Sequence, residues 1–137
     1  MTQEQFLSIP ELDHRIHSLE EAISAMRRMT ASLSSFHTGP HVQSSASEDR
    51  TGKLVASIVD AENEMQETVR QLAELRLEAM GLINTLPEPE QSVMRLRIIC
   101  GKTIEQIAAE MYFSRRNCYY LQQKAIKHLF GYNQGIG

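Results

Sequence analysis

The sequence predicts an all-α protein: a long helical hairpin or coiled-coil stem followed by a three-helix domain built on a helix-turn-helix. Three observations carry this. Apolar residues recur at alternating four- and three-residue steps through two stretches before residue 87. Two capped amphipathic segments, residues 103–111 and 114–129, follow one another across a short turn. Charge is also divided. The chain has 14 basic and 17 acidic residues, but residues 95–137 hold seven bases against two acids, leaving seven against fifteen in the remainder. A net +5 end on a net −8 stem is the asymmetry of a chain with one end facing a polyanion.

The first element, residues 1–33, is expected as a heptad helix. Ser8 with Glu11 reads as a capping box, with Pro10 in the first turn. Leu12, Ile16, Leu19, Ile23, Met26, Thr30 and Leu33 then form an a/d seam with one polar position near its end. Residues 34–52, rich in Ser with Gly39, Pro40 and Gly52, read as a flexible linker. Spacing resumes in residues 53–86 with Leu54, Ile58, Ala61, Met65, Thr68, Leu72, Leu75, Ala79, Leu82 and Leu86. A sustained 3.5-residue period calls for a partner helix, supplied either within the chain or by a second copy. A single hairpin buries little, so a homodimer is expected, with Leu54, Ile58, Met65, Leu72, Leu75 and Leu82 as its oligomerisation residues.

Residues 87–132 form the expected DNA-binding domain, and residues 133–137 a disordered tail. Pro89 suits the first turn of a helix whose stripe is Val93, Leu96 and Ile99 or Cys100, and Gly101 is a natural stop. Thr103 and Gln106 make a capping box for the next helix, whose apolar face is Ile104, Ile107, Ala108 and Met111. Ser114 caps the last helix, with Cys118, Leu121, Ala125 and Leu129 facing inward. The candidate DNA-contact set is Thr103, Ser114, Arg115, Arg116, Asn117, Tyr119, Tyr120, Gln123, Lys124 and Lys127. Arg, Asn and Gln can pair with base edges in the major groove, whereas Lys and Ser hold phosphate.

Composition excludes several classes. Few aromatics, no Trp and four Pro fit a helical chain of 137 residues, enough for one modest domain or a small domain with an arm. Cys100 and Cys118 lack metal-ligand spacing and read as reduced, buried thiols of a cytosolic protein. His14 with His17, and His37 with His41, have helical metal-binding spacing but no third ligand, so solvated histidines are expected. No Gly-rich phosphate loop and no nucleophile beside a base are visible, and the chain reads as non-catalytic, without cofactor or metal. The start of the chain lacks a basic-then-apolar leader, and no apolar run approaches a membrane span.

The C-terminal part resembles the fourth conserved region of the main bacterial sigma-factor family. The resemblance rests on Leu86-Pro87 before an acidic turn, Val93-Met-Arg-Leu-Arg97, Thr103-Ile-Glu-Gln-Ile-Ala108, Ser114-Arg115-Arg116 and Ala125-Ile-Lys-His-Leu129. The whole chain resembles small phage and prophage proteins related to the ArpU and RinA late-transcription regulators, through Ser57-Ile-Val-Asp-Ala-Glu-Asn-Glu64 and Arg95-Leu-Arg-Ile-Ile99. It implies regulation of phage transcription at promoter DNA, in the cytoplasm of a bacterial host. Two positions depart from the sigma pattern: Tyr112 stands where the turn usually has Gly or Asn, and Cys118 where the recognition helix usually has Val or Ile. Lacking the other sigma regions, the chain cannot melt a promoter as a complete sigma factor does.

Three functions fit these residues. One is a dimeric phage-type transcription regulator on duplex promoter DNA, with RNA polymerase as a candidate second partner. Another is a DNA-recognition subunit of a packaging machine, like a small terminase. The third is a protein module whose basic helix engages a polymerase or sigma surface.

Overall fold

The first helix begins earlier than the proline rule implies. In the computed structural model, which describes residues 1–35 and 45–131, α1 spans Gln3–Ser35. Thr2 and Gln5 form its capping box: the Gln5 amide donates to Thr2 Oγ1 (3.1 Å) and the Thr2 amide to Gln5 Oε1 (2.9 Å). Ser8 is no cap, and its hydroxyl donates to the Gln5 carbonyl at 2.7 Å. Pro10 therefore lies inside α1. An interior proline costs about 3 kcal/mol. Phe6 and Ile9, both fully buried, offset it with roughly 1.5–3 kcal/mol each. The expected Ser8–Glu11 box is replaced by one six residues earlier, and α1 gains the turns that carry Phe6 and Ile9.

Four further α-helices follow among the described residues: α2 (Ser45–Ile83), α3 (Glu90–Met94), α4 (Ile104–Met111) and α5 (Arg115–Phe130). Helix α2 begins inside the stretch read as a linker, with Glu48 in its first turn, where the helix dipole favours a carboxylate. Residues 36–44 of that stretch, His37 and His41 with them, and the 133–137 tail lie outside the described residues. Helix α3 runs on into a π-helical turn, Arg95–Ile99, marked by the Cys100 amide donating to the Arg95 carbonyl at 3.1 Å. This wider turn rotates the helix register. Met94 and Ile98 become fully buried alongside Val93, while Cys100, placed in the stripe by simple helical spacing, is exposed.

The chain forms two compact units. One joins Met1–Asp13 to the chain from Gln71 onward, and the other is His14–Arg70. In the second unit α1 and α2 pair antiparallel: Arg15 bonds to Glu64, and Arg27 to Glu62 at 2.9 Å. Such exposed pairs contribute little, about 0–1 kcal/mol each. The seam does more, with Ile16, Ile23, Ile58 and Thr68 buried on it. Its polar members satisfy themselves locally: Thr68 Oγ1 donates to the Glu64 carbonyl (2.8 Å) and Thr30 Oγ1 to the Met26 carbonyl (2.9 Å). Of the proposed oligomerisation residues, Ile58 and Leu72 are buried, and Leu54, Met65, Leu75 and Leu82 are half-buried. The seam thus has a partner helix within the chain.

The first unit joins the start of α1 and the end of α2 to the helices that follow residue 87. The start of α1 and the end of α2 supply buried Phe6, Ile9, Ala79 and Ile83, and buried Leu86 follows in the turn after α2. Phe6 meets Phe130 of α5 edge-on, with centroids 5.5 Å apart. Asp13 bonds to Arg76 at 3.2 Å and lies against Gly101, which turns the chain after α3 with φ +70°. The described residues contain no helix long and apolar enough to cross a membrane.

Candidate nucleic-acid interface

Helices α4 and α5 are held as a rigid pair by one apolar cluster: Val93, Ile104, Ile107, Ala108, Cys118 and Leu121, flanked by Leu96, Met111 and Phe113. Burial pushes the Cys118 thiol up from its ordinary range, so it stays protonated and packs as a small apolar group. Each helix starts with a hydroxyl cap. Thr103 Oγ1 accepts from the Gln106 amide (3.2 Å), and Ser114 Oγ accepts from the Asn117 amide (3.0 Å). Both residues are exposed; the Thr103 hydroxyl also bonds to the Glu105 carboxyl, whereas the Ser114 hydroxyl has a proton that a phosphate oxygen could accept. Between the helices Tyr112 adopts the left-handed conformation (φ 57°, ψ 38°), and the Phe113 amide reaches the Ala108 carbonyl at 3.0 Å. The turn thus holds the tyrosine in a conformation that glycine suits better.

With Cys118, Leu121 and Ala125 turned inward, helical geometry places Arg116, Tyr119, Tyr120, Gln123 and Lys127 on the outward face of α5. All five are exposed. From Arg116 to Lys127 the stripe runs about 16 Å along the helix, at 1.5 Å per residue. Asn117 is half-buried at the edge. The C-terminal turns of α5 have α1 beside them: Gln3 and Leu7 face Gln122, Ile126 and Lys127 across a shallow recess. The N-terminal turns carry the stripe's arginine and both tyrosines.

The structure sorts the cations that composition only counts. Arg95 donates to Gln91 Oε1 (2.9 Å), Arg97 to the Lys102 carbonyl (3.0 Å), and Lys102 pairs with Glu110. The Arg95 bond lies within the α3 segment, and the other two brace its connection to α4. Arg115 pairs with Glu105 of α4 at 3.0 Å. The Glu105 carboxyl is held below its ordinary range first by its own backbone amide in the first turn of α4, then by Arg115. Lys124 lies 3.8 Å from the Glu90 carboxylate and 5.8 Å from the centroid of the Tyr120 ring.

Glu90 is the residue that sequence reading passed over. It is 2% exposed at the start of α3, and it takes a 2.6 Å contact from His128 Nδ1 besides Lys124. A buried carboxylate needs such partners, and here they fix the rotation of α5 on α3. Its only sequence signal was a carboxylate in a first turn, where acids are ordinary. No local spacing links position 90 to position 128.

Residues 76–129 match the family model for sigma-70, region 4. The match covers less than half of the chain and begins within α2, ten residues before the Leu86-Pro87 pair that first carried the resemblance. No curated protein and no solved structure matches the chain significantly. The C-terminal module of this helical chain is therefore a sigma-70 region 4-like helix-turn-helix, and no catalytic family is indicated.

Proposed function

We propose that the protein regulates transcription by binding duplex DNA, with the N-terminal turns of α5 in the major groove. The observation that carries this is the exposed stripe Arg116, Tyr119, Tyr120, Gln123 and Lys127 on the second helix of a module matching sigma-70 region 4. Arg116 and Gln123 have the donor geometry for base edges, and Ser114, Lys124 and Lys127 suit the flanking phosphates. The acidic stem ahead of the helix-turn-helix is the organisation of the phage regulators resembled in sequence. The proposed target is accordingly a phage or prophage promoter, read by a homodimer of hairpins with RNA polymerase as a second partner.

Selection of bound fragments from host and prophage DNA, followed by anisotropy titration, tests the reading. A dimer should return half-sites with centres about 34 Å apart or a multiple of that. Arg116→Ala should relax sequence preference by roughly 1–3 kcal/mol at one position. Lys124→Ala should weaken all duplexes alike and lower the salt slope by about 0.9. If neither substitution changes affinity for any duplex, α5 is not the reading helix.

A further inference from the structure

Seven basic side chains precede residue 95, in a segment that is otherwise strongly acidic. Four are matched to carboxylates: Arg15 to Glu64, Arg27 to Glu62, Arg70 to Glu67 and Arg76 to Asp13. The other three, Arg28, Arg50 and Lys53, have no ion pair or hydrogen bond among the described residues. They are gathered around one groove of about 680 Å³ between α1 and α2 in the unit His14–Arg70. Its floor is apolar, made by Ala25, Met29, Leu33 and Leu54, with Met29 left 53% exposed.

We propose that this groove docks an acidic amphipathic helix of a protein partner, whose apolar face lies on the Met29–Leu54 floor while its carboxylates meet Arg28, Arg50 and Lys53. Charge complementarity selects the occupant. One cation stands on α1 and two on α2, so a ligand satisfying them must offer several carboxylates along its length. Nucleic acid would satisfy the cations but leave the methionine and leucine surface without an apolar partner. The residues joining the two helices, 36–44, include Phe36 and Val42 but no acid, so they cannot supply the counter-charge. A helix is the fitting form, because the trough between two antiparallel helices takes the ridge of a third, whereas strand addition needs a sheet edge. Glu20 and Glu21 line an adjoining recess that shares Ala25 and Arg28, which sets a limit to the footprint: carboxylates of the partner are repelled there.

The full-length chain is titrated with a fluorescein-labelled Leu/Ala/Glu helical peptide of about 18 residues, in a panel varying the width of the Leu face. Two control sets carry Gln for Glu, or the same residues shuffled to abolish the face. Saturable binding is expected for the amphipathic acidic peptides alone, with a shift of the Met29 methyl resonance. Arg28→Glu and Lys53→Glu should each weaken it about tenfold or more, and the exposure of both residues keeps the fold intact, as circular dichroism would verify. Arg116→Ala should leave it unchanged, which separates this site from the DNA-binding reading. The proposal is overturned by no binding across the panel, by equal binding of shuffled peptides, or by indifference to both charge reversals. Self-association lost in Arg28→Glu would overturn it in favour of a second copy, and weaker duplex binding by Arg28→Glu and Lys53→Glu in favour of nucleic acid.

Discussion

Replacing Tyr112 by glycine should stabilise the helix-turn-helix, and the structure sets the size of the effect. Tyr112 sits at φ 57°, ψ 38° with 95% of its surface exposed. An L-residue in this conformation is strained by about 1–2 kcal/mol, because Cβ crowds the following carbonyl. Deleting so exposed a ring forfeits almost no burial. Glycine also widens the unfolded ensemble, which takes back about 0.4–1 kcal/mol. The balance is a gain of roughly 1 kcal/mol for Tyr112→Gly. Tyr112→Ala is the control, since it removes the ring and keeps the strain, and it should give no such gain. Since the chain has two compact units, a whole-chain melt can blend two transitions. Native-state hydrogen exchange at the amides of Ile107, Cys118 and Leu121 reads the relevant unit directly. Equal protection in the Gly and Ala variants, or a loss in the Gly variant, would refute the argument from backbone strain.

Three further outcomes follow from the same geometry. Gly101→Ala should destabilise the first unit by about 1–2 kcal/mol, since the site has φ +70° and a Cβ there would lie 2.7 Å from Asp13 Oδ2; urea denaturation followed in that unit checks it. Glu105 should titrate below an ordinary glutamate by NMR, and Arg115→Ala should recover only part of the depression, since the backbone amide is its larger cause. The sign follows: whatever Glu105 contributes to stability is present above its unfolded pKa and lost as pH falls through its lower folded value. Glu90→Gln should cost about 1.5–3 kcal/mol, the scale of a charge-assisted hydrogen bond, because it neutralises the partner of His128 and Lys124; a double-mutant cycle with His128→Ala isolates the pair.

The periodic parts of this fold were legible from sequence, and so were the caps of the helix-turn-helix. Seam residues such as Ile16, Ile23, Ile58 and Leu72 are buried, because a 3.5-residue repeat survives any choice of partner. The capping box of Thr103 with Gln106 is local, so its residues alone specify it. What escaped depends on distant packing. Met94 and Ile98 are buried through a π-turn that no propensity marks. The helical start at Gln3 carries a local capping box of Thr2 with Gln5, but that α1 runs unbroken through Pro10 accompanies the contact of Phe6 with Phe130, which no local spacing marks. In the candidate site, Ser114, Arg116, Tyr120 and Gln123 were legible as residue types on one helix. That Arg115 and Lys124 are held by Glu105 and Glu90 was not, because each pair joins separate helices.

Charge balance alone would make the stem uniformly repellent to acidic partners and the C-terminal module uniformly attractive to DNA. Pairing changes both conclusions. In the module, Arg95 is engaged within the α3 segment and Arg97 and Lys102 at its connection to α4, so the cations that can meet phosphate stand on α5. In the stem, carboxylates neutralise four of seven basic side chains and leave three in one apolar-floored groove. The two basic clusters differ in what surrounds them. The stripe on α5 interleaves cations with tyrosines and an amide, polar-tipped groups that can work among bases and phosphates. The groove sets its cations beside methionine and leucine, which only an apolar surface can cover with profit. A chain with both can hold DNA with one cluster and an acidic helix with the other, and their salt responses should differ. Duplex affinity should fall steeply with salt through counter-ion release, whereas the groove, with part of its affinity in apolar contact, should lose less.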